Sequence, residues 1–284
     1  MNDGSSFYLS ALHLGFSNSY RVTIEDRTYI DGESFDFTTQ TIDVIIKVEW
    51  VNLNGDTGLS FKLDNVVNNY LPKTVLPFFI KLFKAYNCEA IINSKGCVAS
   101  LKLLNDNKVA LQEITKDNFY EDLQENEKKE LFETYDDVSK LNTTYIENNM
   151  IFPIFPGLLS VNIIKDYATY NQTVKMESKL MPGVTRDIDI YLNLWDSNNV
   201  SADCNIMLSS EMKSTDVNLN QISDYAAKHF NEPNFVADEY DFKIYGDYKV
   251  NNQKYITDAE VEIVESINGD QIEFSKLIKL SVLI

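Results

Sequence analysis

Apolar residues recur at every second position through Ile42, Val44, Ile46, Val48 and Trp50, a strict period of two that predicts a half-buried β-strand. The Asn-Gly pair in the NLNGD segment that follows favours positive φ and predicts a hairpin reversal. The return segment GLSFKL alternates again, through Leu59, Phe61 and Leu63. The same plan occurs twice more. Ile188, Ile190, Leu192 and Leu194, then Trp195, lead to a turn position at Asn198–Asn199, after which Cys204, Ile206 and Leu208 alternate. A third copy carries its turn at Asn268–Gly269–Asp270, with Ile263 standing where Trp50 stands in the first. Each copy opens with a tyrosine-led strand, at Tyr20, Tyr170 or Tyr240, and continues as turn, long alternating strand, turn and return strand. The likeness is plainest between VEWVNLNGDTGLSFKL (48–63) and VEIVESINGDQIEFSKL (261–277). A shorter hairpin, CEAIINSKGCVASLKLL, lies between the first and second copies.

These patterns predict an α+β, mainly antiparallel β fold. Its repeated three-stranded hairpin or meander units form one large curved sheet, or two half-barrel-like halves, with a few covering helices. The copies are too irregularly spaced for a propeller or solenoid. Helical spacing occurs in three segments. Residues 71–86 place Val75, Phe79, Leu82, Phe83 and Tyr86 on one stripe, with Pro77 as a kink or the true start. Residues 116–142 do the same with Phe119, Leu123, Leu131, Tyr135 and Val138, behind Asp117 as N-cap. Residues 218–232 use Ile222, Tyr225, Ala226 and Phe230. Both halves run hairpin strands, helix, further strands, so the expected division is 1–150 and 151–284, as related halves or one continuous domain. The Pro-x-x-Pro-Gly segment at the division reads as a buried crossover, or as an exposed docking loop.

Composition sharpens the picture by exclusion. The chain has 284 residues, 44% of them hydrophobic, enough for a substantial core. With 25 basic and 43 acidic residues its formal charge is −18, which repels phosphate backbones and anionic lipid surfaces. Nucleic acid is therefore excluded as a partner, and a basic protein is the partner such a surface attracts. Cys88, Cys97 and Cys204 fit a reducing compartment, and the hairpin register does not pair Cys88 with Cys97. The N-terminus lacks a basic start before an apolar core, and no apolar run reaches the ~20 residues of a membrane span. The expected location is the cytoplasm, with an exported origin left open if a leader has been trimmed. Asn- and Lys-rich usage points to an AT-rich bacterial or phage genome.

Candidate chemistry is sparse. His13 and His229 stand alone, each read as structural or surface. The chain has no GxSxG, GxGxxG, Walker or CxxC motif and no complete EF-hand loop, so no catalytic residue, cofactor or metal is assigned and the chain is read as non-enzymatic. Asp187 and Asp189 share one side of a strand and read as a solvated face. The aromatic residues Trp50, Phe79, Phe83, Phe152, Phe155 and Trp195 are the candidate contacts for an apolar ligand or partner, against the competing reading of a filled core. The leading expectation is a non-enzymatic protein-binding, scaffold or inhibitor module with an acidic surface. The alternative is a carrier of a lipid or other apolar ligand in a half-barrel cavity, which resembles the half-barrels of bacterial lipoprotein carriers at the level of fold. Exposed strand edges leave a β-mediated homodimer open.

Overall fold

The computed structural model describes residues 6–8, 14–68, 87–93, 98–103, 162–164, 168–181, 184–195, 204–213, 217–230, 233–252, 255–269 and 271–283, with isolated positions between 116 and 129. Among them the first six strands are β1 (Ser6–Tyr8), β2 (Ser17–Ile30), β3 (Glu33–Val51), β4 (Thr57–Asn68), β5 (Cys88–Ile92) and β6 (Val98–Leu103). Next come β7 (Asn162–Ile164), β8 (Thr169–Glu177), β9 (Thr185–Trp195), β10 (Cys204–Met212) and helix α1 (Leu219–His229). β11 (Tyr240–Val250), β12 (Ile256–Ile267) and β13 (Ile272–Val282) complete the series. β1 pairs with β7 in a small ribbon, and the other eleven strands form one open sheet in the order β6-β5-β4-β3-β2-β13-β12-β11-β10-β9-β8. The three expected meanders are thus β2–β4, β8–β10 and β11–β13, side by side in one mainly antiparallel sheet, with the short β5–β6 hairpin added beside β4.

Chain order and spatial order part at the junction of β2 with β13. Asp31 N–H donates to Gln271 O at 2.7 Å at one end of this ladder, and Leu283 N–H to Ser19 O at 2.8 Å at the other. Both bonds describe one antiparallel register, and moving along it from the Asp31–Gln271 pair brings Asp26 opposite Lys276. Two compact units share the sheet. One comprises Met1–Tyr8, Ile24–Thr39 and Asn162–Lys279; the other comprises Leu9–Thr23, Gln40–Val161 and Leu280–Ile284. Each unit takes residues from the N-terminal strands as well as from later ones.

The turns show local chemistry at work. Asn268 and Gly269 both have positive φ, 53° and 72°, as an Asn-Gly hairpin requires. The Asp31–Gly32 reversal between β2 and β3 uses 50° and 77°. NLNGD makes a longer loop from nearly the same letters. Asn52 Oδ1 accepts from the backbone N–H groups of Asn54 and Asp56, both at 2.9 Å, and Gly55 takes φ 87°.

A bulge separates Trp50 from the strand face to which its spacing assigns it. Val48 pairs with Leu59, but Trp50 pairs with Gly58, so Glu49 is the extra residue. Leu59, Phe61 and Leu63 point inward, which puts Gly58 and its cross-strand partner Trp50 on the outer face. Trp50 is 41% exposed and lies so close over Gly58 that a Cβ there would meet the indole at 2.3 Å.

Helix α1 forms where the spacing predicts it. Asn218 caps it by accepting from Gln221 N–H at 3.2 Å, Lys228 and His229 oppose the negative end of its dipole, and Ile222 and Ala226 are buried. The expected helix at 71–86 lies outside the described residues, as do the Asn198–Asn199 turn and the Pro-x-x-Pro-Gly segment. The helix expected at 116–142 is described only in part, by one helical hydrogen bond from Lys128 N–H to Gln124 O at 2.9 Å.

Candidate functional site

In each unit the alternation of β-strand side chains builds one apolar face. Ile42, Val44, Ile46 and Phe61 supply it in the unit containing β4, and Ile188, Ile190, Leu192, Ile206, Val261 and Ile278 in the unit containing α1. These side chains are at most 1% exposed. Opposite faces carry the polar residues, including Arg21, whose guanidinium donates to both oxygens of Asp43 at 2.8 and 2.9 Å and holds that carboxyl below its ordinary range.

The inner face of the unit containing α1 is not wholly apolar. Glu265 occupies an inward position of β12 and is 0% exposed. Its Oε1 accepts from Ser178 Oγ and from Tyr240 Oη, the latter at 2.7 Å. Its Oε2 accepts from the backbone N–H groups of Lys179 at 2.7 Å and Leu180 at 3.2 Å. Ser178 Oγ also accepts from Met181 N–H at 2.7 Å, and Arg186 lies over the Tyr240 ring with Cζ 5.0 Å from its centroid. The β8–β9 connection therefore reaches over the inner face to β12, and the carboxylate is what holds it there. Burial pushes the Tyr240 phenol up, and the Glu265 charge adds to the shift. The Tyr225 phenol of α1 is also raised, by its own burial first and by the same carboxylate second.

Two further polar groups interrupt the same face. Lys276 stands opposite Asp26, its Nζ 3.5 Å from Oδ1. Burial lowers the lysine to about 8, against the upward pull of Asp26 and with help from Lys179. Tyr248, near the end of β11 between its cross-strand partners Ile206 and Ala259, is 0% exposed, and its hydroxyl has no hydrogen-bond partner among the described residues. Such an orphaned hydroxyl in apolar surroundings is uncommon in folded proteins.

Of the aromatic set singled out from sequence, Trp50 and Trp195 fall among the described residues. Trp50 lies on the outer face, Trp195 ends β9 opposite Asn205, and Phe79, Phe83, Phe152 and Phe155 lie outside the described residues. His229 stacks on Tyr225 at 5.1 Å in the last turn of α1. Asp189 accepts from Thr173 Oγ1 at 2.5 Å and pairs with Lys213 at 3.2 Å, both of which lower its carboxyl. Cys88 and Cys204 are buried, and burial pushes the Cys88 thiol up to about 12. Among the described residues no three metal-ligating side chains cluster, and no helix is long and apolar enough to cross a membrane. Glu265, Lys276 and Tyr248 were not singled out from sequence. Their signal was available: each puts a polar group at an inward position of an otherwise apolar alternation.

Fold and site together define a large open antiparallel sheet with an apolar inner face and a few buried polar groups. No protein-family model and no curated protein matches the chain. Its fold is similar to that of a lipovitellin chain from a structure concerned with lipid–protein interactions, with a TM-score of 0.53 and 8% sequence identity. The likeness covers 96% of this chain and 25% of the other, so the chain spans about a quarter of the length of that protein.

Proposed function

We propose that the chain binds a lipid or similar apolar ligand against the inner face of its sheet. The observation that carries this reading is the aliphatic inner face, interrupted by the unpartnered hydroxyl of Tyr248. A ligand with an apolar chain and one acceptor oxygen suits that combination, because the chain fits the face and the oxygen accepts from the phenol. The fold likeness to a lipovitellin chain supports the same reading.

The test is native mass spectrometry of the protein recovered gently from its expression host, followed by solvent extraction. An apolar adduct of a few hundred daltons is the expected result. A bare chain that also takes up no fluorescent fatty acid on warming would remove the proposal. The acidic protein-binding reading rests on the −18 charge. In the same spectrum it would show instead as an adduct of protein size that is lost at high salt.

A further inference from the structure

The outer face of the unit containing α1 carries a cleft of about 220 Å³, lined by Arg27, Tyr29, Gly32, Glu262, Glu273 and Ser275. Its walls come from β2, β12 and β13, with Gly32 at the β2–β3 reversal. Opposite charges face this space. Glu262 accepts from Ser275 Oγ at 2.7 Å and from Tyr245 Oη at 2.5 Å, which fixes its carboxylate in place. Arg27 bonds Glu25 at 2.6 Å through one terminal nitrogen and also meets Tyr29, while its Nε is buried with no acceptor among the described residues. A simple anion is opposed by the two carboxylates, and a simple cation is opposed by the Arg27 guanidinium. A zwitterion of the size of a phosphocholine group answers both: phosphate oxygen toward Arg27, ammonium toward Glu262, Glu273 and the tyrosine rings.

At the same end of the sheet stand partly exposed apolar side chains, one of which, Phe35, has the Phe230 ring edge-on at 6.3 Å. Phe35 and Phe37 are 66% and 45% exposed, and the Arg27 guanidinium sits over the Phe37 ring at 5.3 Å. Val236 is exposed at the same end of the sheet: its carbonyl accepts from Asn268 Nδ2 at 2.8 Å, in the turn whose Gln271 carbonyl bonds Asp31. Single exposed hydrophobics are ordinary, but a group of them around a charged cleft marks a contact surface. The −18 net charge selects against an anionic membrane.

We infer that this end of the sheet docks on a zwitterionic lipid surface, the phenylalanines entering the headgroup boundary while the cleft holds one phosphocholine-type headgroup. This rests on the proposed lipid binding and adds where the chain meets its lipid source.

The experiment is co-sedimentation of the full chain with vesicles of phosphatidylcholine or of phosphatidylglycerol, with fatty-acid uptake measured on the same samples without vesicles. Expected is partition onto phosphatidylcholine at least about tenfold above phosphatidylglycerol, lowered about tenfold or more by combined F35S and F37S. R27Q should lower it several-fold, and millimolar free phosphocholine should compete. Equal or better binding to phosphatidylglycerol, or retention unchanged by the phenylalanine pair or by R27Q, would overturn the inference. Fatty-acid uptake without vesicle binding would end the docking surface and leave the carrier standing. Vesicle binding without uptake would do the reverse.

Discussion

Glu265 and Tyr248 lie on the same inner face, on neighbouring strands, and are equally buried, yet one has four hydrogen-bond donors and the other has no partner. A carboxylate in an apolar interior is tolerated only when its lone pairs are met, and here two hydroxyls and two backbone amides meet them. The cluster therefore works as scaffold: it ties the β8–β9 connection to β12 across the face. An orphaned phenol has the opposite meaning. It contributes nothing to folding through hydrogen bonding, and its hydroxyl remains available to a ligand. Lys276 falls between the two, with Asp26 at 3.5 Å and a lysine lowered to about 8.

The sharpest way to break the comparison is to remove the carboxylate. Glu265→Ala strands two hydroxyls and two amides and should destabilise the fold by about 3–5 kcal/mol. Denaturant unfolding would show this, and a loss under about 1 kcal/mol would mean the cluster is not scaffold.

The pH dependence of Lys276 comes next. Its folded value of about 8 lies below the ordinary 10.5, so below pH 8 the folded state bears the full cost of a buried charge. Between those values the folded state releases the proton while the unfolded chain keeps it, so stability rises with pH. The expected rise between about pH 8 and 10 is on the order of 2–3 kcal/mol, and Lys276→Met should flatten it. The difference between the two proteins is the quantity to follow, because tyrosines raised in the fold oppose the trend at higher pH. Parallel curves would show that Lys276 is hydrated in solution.

Tyr240→Phe removes one of four donors to Glu265 and should cost about 1–2 kcal/mol. Tyr248→Phe removes a hydroxyl without a partner, so it should stabilise the chain, by about 1 kcal/mol, while weakening fatty-acid uptake. The opposed signs on stability make the two tyrosines a matched control for each other. A destabilising Tyr248→Phe would show that the phenol is already bonded within the protein.

Much of the fold was legible because it is local. The period of two placed the inward sides of β3, β4, β9 and β10, and the Asn-Gly pair at 268–269 set its turn by requiring positive φ. Helix α1 followed from spacing and the Asn218 cap. The candidate site was much less legible. Attention to aromatics led to Trp50, which the bulge at Glu49 turns outward, and passed over the polar residues at inward positions. A bulge depends on how the partner strand is counted against β3, and periodicity within one strand contains no such count.

By itself the sequence determined the strands, their inward faces, the reversals and one helix, since each follows from the φ preferences and hydrophobic spacing of residues close in the chain. Only the tertiary structure decided that the three meanders share one sheet, that β2 lies beside β13 and sets Asp26 opposite Lys276, and that Glu265 meets a serine 87 residues away. Those choices depend on which strand edges meet and on which buried charges find donors when they do. That is a property of the assembled sheet, which no stretch of the chain expresses alone.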